Sequence, residues 1–233
     1  MSNKNFKLGL YGKKYLDEMY YFDSFKLSET NSPKKIGLNI GGIYNFKKIL
    51  NKKLKLYFFE DGERIVKIIN DKKNSTRTSI LDKSYLNDHA CIVYPRIDWL
   101  HVSYFDDIDK TSNITFECPT SIDFCDTKNR KIYADVIDKC TLVFDSRERK
   151  SLYKDINTST PIILHDPHGC ECIVNNKIEY SFSSKKIKNL YVNGAGDIFC
   201  GIFLWNYYNL GMQLAMSKTC TETTENLIKI NEI

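Results

Sequence analysis

The sequence predicts an α/β fold: a mostly parallel central sheet with helices on both faces and a small β lid beside it. Three observations carry that expectation. The second half alternates short apolar runs with helix-spaced segments, the pattern of parallel strands joined by crossover connections. The first half instead sets strand-like runs on either side of polar turns, as hairpins do. The chain closes with two helices, the first apolar and opened by a glycine-rich turn, "VNGAGDIFCGIF" at 192–203.

In the first half, "YYFDSFKL" (20–27) and "KKIGLNIGG" (34–42) read as strands joined by the turn-rich "SETNSP" (28–33). "YNFKKIL" (44–50) has helical character, and "RIVKIIN" (64–70) and "TRTSIL" (76–81) flank a polar turn at 71–74. Two-stranded elements projecting from a parallel sheet suit a cover over a site, so the lid is expected at about 18–40 and 64–82. In the second half, "WLHVSYF" (99–105) and "NITFECP" (113–119) are strand-like. "TKNRKIYADVIDKC" (127–140) has helical spacing that puts Ile132, Val136 and Ile137 on one face. "TLVFD" (141–145) and "PIILHD" (161–166) read as buried strands flanking a helix at 147–156. "CECIV" and "KIEYSF" form a hairpin around Asn175 and Asn176, and two helices, 197–210 and about 212–229, part at Gly211. No linker or repeat interrupts this order, which predicts one domain over residues 1–233.

Composition narrows the partners. With 42% hydrophobic and 13% aromatic residues, the 233-residue chain can build a real core. The longest apolar run, 198–205, is broken by Gly201 and too short for a membrane. The N-terminal "MSNKNFKLGLYGKK" has no apolar signal region, so a cytoplasmic protein is expected. Net charge is +5, but the basic residues are spread along the chain; "NKKLK" (51–55) and "SKKIK" (184–188) read as solvated faces, not as a nucleic-acid surface. The eight cysteines, several in apolar segments, are expected as free thiols.

The glycine-rich turn concentrates the chemistry. Gly194 and Gly196 let a backbone approach a ligand closely. With Ala195, their amides would stand at a helix N-terminus, where unpaired N–H groups and the helix dipole attract an anion. Asp197 opens that helix. A carboxylate there is favoured as a first-turn residue; it is equally placed to take a proton from a hydroxyl beside the anion.

"VNGAGDIFCGIF" resembles the C-terminal signature of the ribokinase/PfkB family of sugar and nucleoside kinases, matching at Gly194, Ala195, Gly196, Asp197, Phe199 and Gly201. "NIGGIYNFKKIL" (39–50) resembles its N-terminal signature at Gly41, Gly42 and Asn45. "LGLYGKKYLDEM" (8–19) sits where that family has its first strand and a substrate-binding aspartate, which points to Asp17. "IDWLHVSYF" (97–105) resembles the strand before its mid-chain helices, and "VFDSRE" (143–148) lies where it has Asn-x-x-Glu near the metal. Glu148 fits that pattern; Asp145 replaces the Asn.

The resemblance spans nearly the whole chain, with one helical unit missing after about residue 56. It implies a ribokinase-like three-layer sandwich that uses ATP and Mg2+ to phosphorylate a hydroxyl of a sugar, sugar-like or nucleoside substrate. By position it implies Asp197 as general base, and the amides of Gly194, Ala195 and Gly196 as anion hole. Asp17, Gly41, Gly42 and Asn45 would hold the acceptor, Asn193 and Gly169 the nucleotide, and Glu148 with Asp145 the metal. A homodimer through the lid strands is a further expectation.

Two departures support an alternative, a sugar-binding pseudokinase of the same fold. "ILHDPHG" (163–169) puts Leu164 and Asp166 where the family has Thr and Gly beside the phosphates, and a carboxylate repels them unless a cation intervenes. "YVN" precedes the GAGD turn in place of a hydroxyl-rich run. His165, Asp166, His168, Cys170 and Cys172 form a dense set of possible zinc ligands, though their spacing matches no zinc signature. His89 and His101 carry no assigned role. Arg77, in "STRTS" (75–79), reads as a solvated lid arginine or one reaching the acceptor.

Overall fold

A computed structural model describes residues 6–51, 53–86, 96–108, 116–126, 128–184 and 187–231. One sheet organises the chain. Its strands are β1 (Lys7–Phe22), β2 (Lys35–Gly42), β3 (Lys55–Asp71), β4 (Thr76–Leu86), β5 (Trp99–Val102), β6 (Thr120–Asp123), β7 (Leu142–Ser146), β8 (Ile162–Asp166), β9 (Gly169–Val174) and β10 (Lys177–Ser183). They lie in the order β10-β9-β8-β7-β6-β5-β1-β3-β4, with β2 on β1 off that path. Neighbours from β8 through β7, β6, β5 and β1 to β3 are parallel.

β1 and β3 each serve two regions. Leu8 to Tyr11 pair with β5 inside the central sheet. After a register shift at Gly12/Lys13, β1 keeps β3 on one side and takes β2 on the other. The predicted lid strands are therefore continuations of core strands. The run at 20–27 is not a strand of its own: Tyr20 to Phe22 end β1, and the chain then turns. The Phe25 ring packs edge-on against Phe22 at 5.1 Å instead of extending the strand. β3 and β4 pair across the predicted turn, where the Asp71 carboxylate accepts from the backbone and side chain of Asn74.

Alternation fills both faces of the sheet. Leu142 and Phe144 of β7 join Leu8, Leu10 and Ile163 on one face. Against them pack α1 (Asn45–Leu50), α3 (Ala195–Leu210) and α4 (Met212–Asn231), through Phe46, Phe203 and Met216 among others. Val143 joins Leu100, Ile122 and Leu164 on the other face. That face is covered by short helices: 3-10 segments at Phe105–Asp107, Arg130–Tyr133 and Arg147–Tyr153, and α2 (Ala134–Ile137).

The helix expected over 127–140 is thus a 3-10 turn leading into one α-turn, and its tighter winding rotates the side chains. Ile137 is buried, but Ile132 is 67% exposed. The buried residue of the first turn is Arg130. The strand expected over 113–119 lies partly outside the described residues, and β6 begins only at Thr120. His89 and Cys91 also lie outside them. The hairpin at Asn175 and Asn176 is as expected, with φ of 49° and 60° in the left-handed region. The chain passes from α1 to β3 between residues 51 and 55, too few for another helix. Among the described residues, no helix is long and apolar enough to cross a membrane.

Candidate active site

The start of α3 is the centre of the site. Gly194 caps it at φ 77°, and the first turn of a helix leaves its leading amides without helical partners. The Ala195 amide donates to the Val192 carbonyl at 3.1 Å. This corrects the expected cradle: Ala195 is already engaged. The amides of Gly194, Gly196 and Asp197 have no acceptor among the described residues.

Asp197 is 3% exposed. Its carboxylate accepts from Asn45 Nδ2 at 2.7 Å and from the Tyr104 hydroxyl at 2.8 and 2.9 Å to its two oxygens. Burial pushes its pKa up to about 6, while Asn45 and Tyr104 pull the other way by stabilising the anion. Asn45 is brought here because Phe46 and Leu50 lock α1 against Gly201 of α3, where a Cβ would meet the Phe46 ring at 3.2 Å.

Two adjoining cavities meet at this carboxylate. The smaller, about 300 Å³, is lined by Asp17, Asn45, Asn193, Tyr15 and Arg64 among others. The larger, about 460 Å³, is lined by Asp123, Glu148, Arg149, His165, Asp166 and the 194–196 turn among others. Asp197, Gly194, Tyr104 and Arg77 belong to both walls.

In the smaller cavity Asp17 stands opposite Asn39 across β1 and β2, and Asn39 Nδ2 donates to it at 3.2 Å. Burial raises its pKa. The two glycines explain how it fits. A Cβ on Gly41 would lie 2.4 Å from Asp17 Oδ2, so Gly41 makes room for the carboxylate. Gly42 lines the cavity itself at φ 62°, where a Cβ would meet the Lys13 carbonyl at 2.2 Å. Arg64 pairs with Asp107 at 2.6 Å on the cavity wall.

Asn193, expected on the nucleotide side, lines the smaller cavity, and its Oδ1 accepts from Arg77 at 3.4 Å. Asp145 is fully buried and saturated. It accepts from Arg130 at 3.0 Å, from Tyr153 at 2.8 Å, from Arg149 and from the Ser146 amide. No valence is left for a metal. The possible zinc ligands at 165–172, whose spacing matched no zinc signature, do not converge: Cys170 Sγ sits 3.4 Å from Cys220 Sγ in the core, His168 is exposed, and His165 stacks on Phe199.

Glu148 stands at the mouth of the larger cavity, exposed, with no cation paired to it among the described residues. Gly169 also lines this cavity. Its glycine is dictated by the hairpin, since a Cβ would clash with the Phe182 carbonyl. Asp166 does face the cavity, but Arg147 lies 3.4 Å from it and offsets its charge.

Tyr104, Asn39 and the double role of Arg77 were not visible in the sequence. Tyr104 falls in the strand-like run 99–105, but β5 ends at Val102 and Tyr104 turns at φ 54° to aim its hydroxyl at Asp197.

The fold is ribokinase-like: the chain superposes on solved structures of that fold over nearly its whole length. Adenosine kinase from Sinorhizobium meliloti superposes with a TM-score of 0.73 at 10% identity, over 97% of this chain and 94% of that one. The nucleoside kinase of Methanocaldococcus jannaschii, an archaeal member of the ribokinase family, gives 0.65 at 15% identity over 97% and 92%. Ribokinase from Cryptococcus neoformans in complex with ADP gives 0.64 at 14% identity over 92% and 91%. No family model matches the sequence, and no curated protein matches it.

Proposed function

We propose that the protein transfers the terminal phosphoryl group of ATP to a hydroxyl of a sugar, sugar-like or nucleoside acceptor. The observation that carries this reading is the position of Asp197 on the wall shared by the two cavities. An acceptor in the smaller cavity, held by Asp17 and Asn45, presents a hydroxyl to Asp197. The carboxylate takes the proton as that oxygen bonds to phosphorus, and the bond to the departing diphosphate breaks. The open amides at Gly194 and Gly196 face the charge carried on the transferring group. Magnesium, when bound, would offset phosphate charge, and Glu148 fits as its single carboxylate partner. β2 and the β3–β4 hairpin would serve as a lid that excludes water.

Named partners of structural neighbours agree with this reading: ADP in the Cryptococcus ribokinase, inosine in a Burkholderia thailandensis nucleoside kinase. A phosphotransfer assay across sugars and nucleosides tests it; no transfer to any of them would refute it.

The alternative is a binding protein without catalysis: Asp166 keeps a carboxylate on the wall of the larger cavity, although Arg147 at 3.4 Å offsets its charge. Calorimetry separates the two readings, because a pseudokinase binds an acceptor and not ATP. The homodimer belongs to the same proposal. Ile36, Leu38 and Ile40 alternate on one face of β2, exposed and apolar, which suits pairing with a second copy.

A further inference from the structure

Three side chains that the proposed transfer does not use meet beside the larger cavity: Asp123 and His165 line it, and Cys200 lies fully buried behind them. Asp123 ends β6, His165 lies near the end of β8, and Cys200 lies one turn beyond Asp197 in α3. A carboxylate oxygen, a ring nitrogen and the thiol sulfur lie within 4.8 Å of one another. Asp123 and Cys200 are buried and His165 is half-buried. Among the described residues nothing hydrogen-bonds or ion-pairs with the Asp123 carboxylate or the His165 ring, whose face stacks on Phe199 at 4.5 Å. A buried carboxylate without a partner is costly and calls for a cation or a proton.

We propose that Asp123, His165 and Cys200 form a zinc site that opens onto the larger cavity. The donor set selects the ion. Magnesium and calcium take oxygen ligands, whereas one thiolate, one imidazole and one carboxylate suit zinc. Zinc bonds of about 2.0–2.3 Å place tetrahedral donors about 3.5 Å apart, so the three groups need draw in by roughly 1 Å. Each comes from a different element and each is anchored by its own strand or helix, which holds the triangle without the ion. Three protein ligands leave a fourth position open. Asp123 and His165 line the larger cavity, so an oxygen of a molecule or water bound there would complete the shell.

Cobalt titration of the purified full chain tests the site without relying on activity. The expected result is one cobalt per chain with a thiolate-to-cobalt charge-transfer band, displaced by zinc. Cys200→Ser should abolish the band, while Cys172→Ser, a buried thiol outside the cluster, should leave it intact. His165→Gln should lower cobalt affinity at least tenfold and serves as the second variant if Cys200→Ser does not fold. Absence of the band in the wild type, or its survival in folded Cys200→Ser, or unchanged affinity in His165→Gln, overturns the proposal. Because the readout is optical, its failure leaves the kinase reading untouched, and the reverse holds too.

Discussion

Tyr104 directs its hydroxyl between the two oxygens of Asp197, at 2.8 and 2.9 Å, from a left-handed turn that follows β5. It stabilises the anion against a burial that raises the pKa to about 6. Tyr104→Phe removes that donor, so the Asp197 pKa should climb further, by about one unit. Since the base works only when ionised, kcat/KM should fall as pH drops through about 6 in the wild type. In the variant the fall should begin at higher pH. A pH–rate profile measures both, and superimposable acidic limbs would show that Tyr104 does not tune the base.

The same raised pKa has a consequence for stability. A free aspartate titrates near 3.9, so between there and about 6 the folded protein binds a proton that the unfolded chain has already released. Stability therefore falls as pH rises through that window, and the cost is complete above it. Asp197→Asn removes the cost. It should raise the melting temperature by a few degrees at pH 7.5, for a gain on the order of 2 kcal/mol, and by little at pH 4. Calorimetric melts at the two pH values check this; equal effects at both would contradict it.

Gly41 ties a backbone requirement to the acceptor. Gly41→Ala would put a methyl against the Asp17 carboxylate, where a Cβ would lie 2.4 Å from Oδ2. Asp17 must then turn away from Asn39 and out of its place in the cavity. Acceptor KM should rise by roughly tenfold or more, as expected for a lost hydrogen bond to a charged group, while the Km for ATP stays within twofold. Equal changes for both substrates would place Asp17 outside the acceptor site.

Arg130 is a structural test away from the site. Fully buried, it lies 3.0 Å from Asp145 and 3.2 Å from Asp106. Arg130→Met should destabilise the fold by about 3–5 kcal/mol, because buried Asp106 loses its cation and Asp145 is left with Arg149 alone. Denaturant unfolding measures it, and a loss under 1 kcal/mol would mean that the pair is solvated.

The sequence revealed what is local and periodic. Short apolar runs located β7 and β8, paired runs around Asn175 and Asn176 located the β9–β10 hairpin, and the GAGD turn located the start of α3. What stayed hidden depends on distant partners. Asn45 and Asp197 were expected at one site, but their direct 2.7 Å hydrogen bond joins residues 152 positions apart and no local pattern encodes it. The saturation of Asp145 depends on Arg130 and Tyr153, which no spacing rule links to it. The length of β1 is hidden in the sequence because its neighbours change from β5 to β2 partway, so its burial pattern changes with them. The turn at Tyr104 is hidden because an apolar run gives no sign of the one residue at which it turns.

The most direct measurement is turnover by Asp197→Asn beside its acceptor affinity, once an acceptor has been found by the phosphotransfer panel. The account predicts a loss of about 10²–10⁴-fold in kcat with an acceptor Kd within a few-fold of wild type, because Asn keeps an oxygen to accept from Asn45 or Tyr104. Wild-type turnover by that variant would contradict it, and the carboxylate between the two cavities would then have to be read as structural.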